Sequence, residues 1–168
     1  MTRRSTSPLN VLFLCTANSA RSILSEALLC HESKDRFHSY SAGSSPSGKV
    51  HPVAVQLLTK RGVAIDGLHS KSWNVFEGAD APEMDFVFTV CSNARDEVCS
   101  VWLGRPVTAH WGVEDPAAVG GNDVERLAKF EKVCDLLQKK IRAFVALPLE
   151  DMTEDERRTA CRNIGMMT

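Results

Sequence analysis

The sequence lacks a strong charge of one sign, long apolar runs and clustered histidines. Its 168 residues carry 20 Lys and Arg against 21 Asp and Glu, so a net charge of −1 offers no broad basic face for nucleic acid or anionic lipid. No stretch approaches the roughly 18 apolar residues of a membrane span. The five histidines are scattered without the spacing of metal ligands. We therefore expect a protein that binds no nucleic acid, membrane, metal or other cofactor.

The N-terminal residues also lack a secretory pattern. Arg3 and Arg4 precede only a short apolar run, residues 11–14, which is too brief for the hydrophobic region of an export signal. We therefore expect a cytoplasmic protein. Because the cytoplasm is reducing, the six cysteines are better interpreted as thiols than as a structural disulfide framework.

Short apolar segments alternate with helical periodicity along the chain. This alternation predicts an α/β fold in which helices cover both faces of a parallel sheet. Length and hydrophobic content fit one domain with one core. The candidate strands are residues 10–14, 37–41, 63–65, 85–90 and 107–110.

Several residues predict helix ends. Pro52 suits the first turn of a helix whose C-terminal left-handed cap is Gly62. Asn122 with Glu125, and more weakly residues 153 and 156, form capping boxes. The helix after Asn122 should bury one apolar stripe, and Cys30 should lie on a similar stripe as an ordinary buried thiol. The stripe residues are Val124, Leu127, Cys134, Leu137 and Ile141.

The chemistry is indicated by the segment between the first strand and the first helix, which reads CTANSARS. Five residues separate Cys15 from Arg21, so the backbone can wrap until successive N–H groups point at one centre and bind an oxyanion. The guanidinium of Arg21 adds a planar fork that binds two oxygens at once. A cysteine and an arginine separated by five residues are a weak pattern alone, but the predicted strand before them and helix after them strengthen the prediction of an oxyanion site. The alternative is a buried cysteine beside a surface arginine.

The same environment should activate the thiol. An ordinary cysteine is only about 3% ionised at neutral pH, and we predict that the pKa of Cys15 is lowered by roughly two units. Ser22 can donate its hydroxyl to the thiolate. Asn18 can adopt the left-handed conformation and hold the loop through side-chain hydrogen bonds.

Three motifs resemble one known superfamily. The N-terminal VLFLCTANSARS, the SAG at 41–43 and the Asp-Pro at 115–116 are similar to the low-molecular-weight tyrosine phosphatases, and most of all to their thioredoxin-coupled arsenate reductases. The reductase loop usually reads CTGNSCRS, so this chain departs from it at Ala17 and Ala20. The likeness spans roughly residues 10–145. It implies a three-layer α/β/α fold with a four-stranded parallel sheet.

The resemblance also implies roles for individual residues. Cys15 is the expected nucleophile and Asp115 the general acid, although an Asp-Pro pair is also common in simple turns. Cys91 and Cys99 fit the places of the second and third redox cysteines, and the alternative is that both are ordinary buried thiols. The loop that would bind the oxyanion consists of Cys15, Thr16, Ala17, Asn18, Ser19, Ala20, Arg21 and Ser22.

Three cysteines at these places favour reduction over hydrolysis. A phosphatase needs one nucleophile, an acid and water, whereas reduction of arsenate needs two electrons. Cys91 would attack the sulfur of Cys15 and form a disulfide with it. Cys99 would then attack Cys91, release Cys15 and form a second disulfide. Eight helical residues rise about 12 Å, whereas the Cα atoms of a disulfide come within roughly 7 Å, so a helix over 92–99 would have to unwind.

The sequence therefore predicts an arsenate reductase that converts arsenate to arsenite. Its electron donor would be thioredoxin or, as a second choice, glutathione with glutaredoxin, and the oxyanions it binds would be arsenate and phosphate. We expect a monomer with a disordered lead-in at 1–9, a catalytic domain at 10–148 and a C-terminal extension at 149–168. The alternatives are a low-molecular-weight tyrosine phosphatase and a noncatalytic oxyanion or redox sensor.

Overall fold

The sheet has four parallel strands in the spatial order β2-β1-β3-β4. The computed structural model describes residues 7–33, 35–92, 105–118 and 120–168. The strands are β1, Leu9–Cys15; β2, Phe37–Gly43; β3, Phe86–Thr89; and β4, Val107–His110. The helices of this part of the chain are α1, Arg21–Glu32; α2, Pro52–Lys60; α3, Asp123–Val145; and α4, Glu154–Gly165, with 3-10 turns at Trp73–Phe76 and Leu149–Asp151. The expected α/β fold with a four-stranded parallel sheet is confirmed.

The register of the sheet brings the carboxyl ends of its central strands together. β1 pairs with β2 so that Cys15 faces Gly43, and it pairs with β3 so that Leu14 faces Thr89. The residues of β1 from Val11 onward are all buried, because a central parallel strand is covered on both faces. Ligands of open α/β sheets bind at the carboxyl ends of the strands, so this edge is where a site is expected.

An aromatic cluster fills the core beside β3. The rings of Phe88 and Trp111 stack with their centroids 3.9 Å apart and their planes at 12°. Phe144, on α3, contacts both rings edge-on. Aromatic pairs of this kind add to the stabilisation from burial alone. The cluster thereby holds α3 and the segment after β4 against the sheet.

The C-terminal helix α4 packs along β4. Its N-terminus carries the predicted capping box between Thr153 and Glu156. The indole Nε1–H of Trp111 donates to the carbonyl of Cys161 at 2.9 Å, and the buried Lys140 ammonium donates to the carbonyl of Gly165 at 2.6 Å. The end of the chain is therefore fixed to the domain by polar contacts as well as by packing.

Helix α2 ends as its sequence predicts, and this ending corrects the expected strand at 63–65. Gly62 has φ of +71°, the left-handed conformation of a C-terminal cap. The N–H of Val63 then donates back to the carbonyl of Leu58 at 2.9 Å. Because the helix cap uses this N–H, residues 63–65 form no strand, and that prediction is wrong.

Two burial predictions also fail, and a third holds only in part, because Leu127 is half-buried rather than buried. Val124 is 77% exposed, because it lies in the first turn of α3, before the core stripe that begins at Phe130. Cys30 is exposed on α1, since a residue two positions after Leu28 is rotated about 200° from the buried face. Cys134 is buried as predicted. Asn122 caps α3 by accepting from the N–H of Glu125 at 2.9 Å.

Candidate active site

The loop of residues 15–21 joins the carboxyl end of β1 to the N-terminus of α1. Cys15 is the last residue of β1, and α1 begins at Arg21. Ala20, the N-cap residue, has no polar side chain that could cap this helix. The positive end of the helix dipole and its first N–H groups therefore face the loop, which is the arrangement that favours an anion.

The sulfur of Cys15 has two close polar neighbours. The Oγ of Ser22 lies 2.8 Å from the Sγ, and the backbone N–H of Asn18 donates to the Sγ at 3.2 Å. Both interactions stabilise a thiolate.

Burial nevertheless raises the pKa of Cys15. The side chain is only 3% exposed, and the loss of hydration disfavours the charged form more than the bonds from Ser22 and Asn18 favour it. The charge of Cys91 adds to this rise. The predicted lowering of the Cys15 pKa is therefore wrong for this structure.

Asn18 fixes the shape of the loop as predicted. Its φ is +46°, in the left-handed region that asparagine tolerates better than most residues. Its Nδ2 donates to Ser22 Oγ at 2.8 Å, and its Oδ1 accepts from the N–H of Lys71 at 2.9 Å. Ala17 is not among the residues with positive φ, so the alanine at that position causes no backbone strain.

A second loop supports the first from outside. The N–H groups of Ser45 and Ser47 donate to the carbonyls of Thr16 and Ala17, each at 2.9 Å. A Cβ on Gly43 would lie 2.3 Å from the carbonyl oxygen of Thr16, so only glycine fits there. The turn-rich run after β2 therefore supports the wall of the site, a role that sequence reasoning missed although its glycine and serine content indicated close backbone approach.

Arg21 and Asp115 meet above the loop. The guanidinium NH2 lies 3.7 Å from Asp115 Oδ2, with side chains 17% and 41% exposed, and its NH1 donates to the carbonyl of Val113 at 3.2 Å. Asp115 Oδ1 accepts from the N–H of Ala117 at 2.9 Å, the geometry of an aspartate turn. The predicted acid is thus within reach of the predicted oxyanion-binding residue.

Cys91 lies beside the same loop. It follows the end of β3 and is buried, and its Sγ is 3.7 Å from the Oγ1 of Thr16. Strands β1 and β3 are neighbours in the sheet, which brings the two predicted redox cysteines to one edge. Cys99, the third predicted cysteine, lies outside the described residues.

A buried polar cluster beneath the loop was not predicted. Glu26, on α1, accepts a hydrogen bond from the hydroxyl of Ser41, and its Oε2 lies 3.8 Å from the ammonium of Lys71. Burial raises the pKa of Glu26 and lowers that of Lys71. An ion pair alone would shift both the other way, so loss of hydration dominates here. Because Glu26 and Lys71 are distant in sequence, no local pattern could have found this cluster.

The remaining loop residues bond to their surroundings through backbone atoms. The carbonyl of Ser19 accepts from the N–H of His51 at 2.9 Å, and that of Ala20 accepts from Leu24 at 2.8 Å.

Within the described ranges, no group of three or more His, Cys, Asp or Glu side chains could hold a metal ion. In the same part of the chain, every helix is too short or too polar to cross a lipid bilayer.

The fold and this loop define a class of protein. The profile of the family described as "Low molecular weight phosphotyrosine protein phosphatase" matches residues 10–158. The chain therefore belongs to the low molecular weight phosphotyrosine protein phosphatase family.

Within this family the chain groups with proteins named arsenate reductase, as the resemblance implied. The arsenate reductase of Halalkalibacterium halodurans is 34% identical over 134 residues, which is 80% of this chain and 93% of the relative. That of Bacillus subtilis is 31% identical with the same coverage. A solved structure described as "An arsenate reductase in the phosphate binding state" has a TM-score of 0.63 and 26% identity, and covers 82% of this chain and 97% of its own. The expected enzyme class is confirmed.

Proposed function

We propose that this enzyme reduces arsenate to arsenite through a relay of Cys15, Cys91 and Cys99. The observation that carries the proposal is the position of Cys91, whose sulfur lies 3.7 Å from Thr16 Oγ1 of the oxyanion loop. A hydrolase of this family needs a single sulfur, so a second buried thiol at the loop has no role in hydrolysis. The naming of the curated relatives as arsenate reductases supports the same conclusion.

The first step forms a bond between sulfur and arsenic. The Cys15 thiolate attacks the arsenic atom of arsenate, and one hydroxyl group of arsenate leaves as water after Asp115 gives it a proton. The guanidinium of Arg21 and the N–H groups of the loop hold the remaining oxygens. Because Arg21 pairs with Asp115 at 3.7 Å, the group that binds the oxyanion and the acid that protonates it are already adjacent.

The second step transfers two electrons to arsenic. The Cys91 thiolate attacks the sulfur of Cys15 and forms a disulfide, while the electron pair of the sulfur–arsenic bond leaves with arsenic. Arsenic passes from the +5 to the +3 state and departs as arsenite. The two sulfurs together lose two electrons, so the step balances.

The third step restores Cys15. The Cys99 thiolate attacks Cys91, which frees the nucleophile and leaves a disulfide between Cys91 and Cys99. An external dithiol then reduces this bond, and we propose thioredoxin as the donor, with glutathione and glutaredoxin as the second choice.

We also propose that the protein is a monomer and that it is cytoplasmic, since the relay requires a compartment that keeps thiols reduced. Its organisation is a lead-in at 1–9, a catalytic domain at 10–148 and an extension at 149–168.

The relay is tested by trapping its first disulfide. In Cys99→Ser, one equivalent of arsenate should yield one equivalent of arsenite and a disulfide between Cys15 and Cys91, detected by peptide mapping. In Cys91→Ser, arsenite should not form. Cys30→Ser is the matched control, because that thiol is exposed on α1 and should leave turnover unchanged. Full activity in Cys91→Ser would overturn the relay.

Two donor systems and one competing activity complete the test. Loss of NADPH is followed with thioredoxin and its reductase, and separately with glutathione, glutaredoxin and glutathione reductase. A tyrosine phosphatase would instead hydrolyse aryl phosphates at a rate that ignores replacement of Cys91 and Cys99. Phosphate binding without turnover of either substrate would identify a noncatalytic oxyanion sensor.

A further inference from the structure

Residues 69–72 contact the oxyanion loop from outside it. The hydroxyl of Ser70 donates to the carbonyl of Ala17 at 3.2 Å. The backbone N–H of Lys71 donates to Asn18 Oδ1 at 2.9 Å. Two hydrogen bonds from consecutive residues therefore support the loop, and the one from Lys71 reaches the residue with the left-handed backbone.

The rest of Lys71 joins this segment to α1 and β2. Its ammonium lies 3.8 Å from Glu26 Oε2 on α1 and donates to the carbonyl of His69 at 2.8 Å. The Glu26 carboxylate also accepts from the hydroxyl of Ser41 on β2. The carbonyl of Lys71 accepts from the N–H of Gly43, at the end of β2, at 2.9 Å. The backbone of Lys71 is thus held from both neighbouring elements.

The ion pair between Lys71 and Glu26 is largely shielded from water, since the two side chains are 13% and 16% exposed. Burial raises the pKa of Glu26, and the bond from Ser41 and the charges of Lys71 and His69 only partly offset this rise. A buried pair adds little net stability, but separating its partners leaves each charge uncompensated. The pair therefore resists displacement of the segment that carries Lys71.

Asn18 passes this constraint on to the nucleophile. A backbone N–H can only donate, so the N–H of Lys71 selects the amide orientation in which Asn18 Oδ1 faces it. Asn18 Nδ2 then donates to Ser22 Oγ at 2.8 Å, and this oxygen lies 2.8 Å from Cys15 Sγ. If the amide rotated, its oxygen would face Ser22 and compete with the thiolate for the hydroxyl proton.

We propose that Lys71 is a positioning residue, whose ion pair with Glu26 holds its backbone N–H on Asn18 and so keeps the Ser22 hydroxyl available to the Cys15 thiolate. Because Lys71 acts through the loop, its effect should appear in the reactivity of the thiol and in oxyanion binding. This inference rests on the proposed role of Cys15 as the nucleophile, and it is independent of the later disulfide steps.

Two variants remove the ion pair, and a third is their control. Lys71→Met removes the ammonium and keeps an unbranched side chain. Glu26→Gln/Lys71→Met also removes the carboxylate charge, so the cluster keeps the net charge of the original pair. Lys140→Met is the matched control, because Lys140 is buried in α3 but its ammonium donates to the carbonyl of Gly165.

The readouts are alkylation of Cys15 by iodoacetamide, located by peptide mapping, and phosphate affinity by calorimetry. We expect both Lys71 variants to alkylate about tenfold more slowly between pH 7 and 9, as loss of most of one hydrogen bond to the thiolate predicts. Phosphate should bind about threefold to tenfold more weakly, because loop N–H groups bind well only when preorganised. Lys140→Met should melt lower but match the wild type in both readouts.

A double-mutant cycle separates positioning from the direct field of the lost ammonium. In a Ser22→Ala background, Glu26→Gln/Lys71→Met should slow alkylation no further, because the hydroxyl through which Lys71 acts is already absent. A further loss in that background would overturn the inference. Wild-type alkylation in the charge-neutral double variant would overturn it as well.

These measurements do not require reduction of arsenate, so the two proposals fail separately. If Cys15 is alkylated and phosphate binds as expected but the wild type forms no arsenite with any donor, the proposed function alone fails. If the wild type forms arsenite and Glu26→Gln/Lys71→Met matches it in alkylation and phosphate affinity, the inference about Lys71 alone fails.

Discussion

The hydroxyl of Ser22 lies 2.8 Å from the sulfur of Cys15, and the same oxygen accepts from Asn18 Nδ2 at 2.8 Å. Once Cys15 is a thiolate its sulfur carries no proton, so the Ser22 hydroxyl must then be the donor of this bond. Ser22 is therefore oriented as a donor to the thiolate. The hydrogen bonds from Asn18 to Ser22 and from Ser22 to Cys15 therefore oppose the rise in the thiol pKa that burial causes.

Ser22→Ala should raise the pKa of Cys15 further. A hydrogen bond to a charged group contributes about 1.5 to 3 kcal/mol, which corresponds to roughly one to two pKa units. The rate of alkylation by iodoacetamide should fall at neutral pH and recover at higher pH. Ser25→Ala is the control, because that hydroxyl donates to the carbonyl of Arg21 at 2.8 Å and is not bonded to the sulfur. Equal pH profiles for both variants would contradict the assignment.

Asn18→Ala should destabilise the fold more than Asn18→Gly. Both variants lose the bonds to Ser22 and Lys71, but only alanine pays the steric cost of φ at +46°. That cost is about 1 to 2 kcal/mol. Urea denaturation should show a difference of this size in the free energy of unfolding. Equal stability of the two variants would mean that the loop adopts another backbone conformation.

Gly43→Ala should weaken oxyanion binding. The added methyl group would lie 2.3 Å from the carbonyl oxygen of Thr16, so the loop must move to admit it. We expect calorimetry to give at least about tenfold weaker phosphate binding, since loop N–H groups bind well only when preorganised. Gly78→Ala meets nothing within 4 Å and should bind as the wild type does. Unchanged affinity in Gly43→Ala would exclude this contact as a determinant of the loop.

Asp115→Asn should slow the first step of the reaction without weakening oxyanion binding. General acid catalysis contributes about 10²- to 10⁴-fold to a rate, so single-turnover arsenite formation should fall by that factor. Phosphate should bind more tightly, because the carboxylate that pairs with Arg21 at 3.7 Å becomes neutral. Glu114→Gln, at the neighbouring exposed residue that pairs with Lys129, should change neither property. A normal rate in Asp115→Asn would assign the acid elsewhere.

Cys161 should make the fold sensitive to alkali. Burial raises the pKa of its thiol from 9.0 to about 12. Below pH 9 the thiol is protonated in both the folded and the unfolded chain, so its contribution to stability is complete. As pH rises from 9 toward 12, only the unfolded chain ionises, and stability falls by up to about 1.4 kcal/mol per pH unit.

The free energy of unfolding, measured from pH 8 to 11, checks this prediction. In Cys161→Ala, the free energy of unfolding should fall less steeply with pH, because one titrating thiol is missing. This should hold whatever the stability of the variant is at pH 8. Cys30→Ser should leave the slope unchanged, because that thiol is exposed in the folded chain. A Cys161→Ala profile parallel to the wild type would show that the folded state admits water to this thiol.

The sequence predicted local features of the site well. The strand to Cys15, the helix after it and the left-handed Asn18 follow from apolar runs, helical spacing and the preferences of single residues. The fold class followed from the alternation of strands and helices. By contrast, residues 63–65 look like a strand in isolation, and only the bond from Val63 to Leu58 shows that the helix cap uses them.

Most of the wrong predictions concern which residues of a helix are buried. Val124 and Cys30 have apolar neighbours at helical spacing, but periodicity does not tell where a helix extends past the core. The pKa of Cys15 was mispredicted for a related reason. Hydrogen-bond donors can be read from the loop sequence, whereas the loss of hydration depends on what the rest of the chain places around the sulfur.

The sequence by itself determined the Cys15–Arg21 loop between a strand and a helix, and the class of fold, because these depend on residues that are close along the chain or on repeating patterns. Only the tertiary structure decided which distant residues meet there. It placed Cys91 beside Thr16, Asp115 beside Arg21 and His51 on the loop at Ser19. Such encounters are set by the pairing of parallel strands and the packing of helices on them, which bring together positions that no local spacing relates.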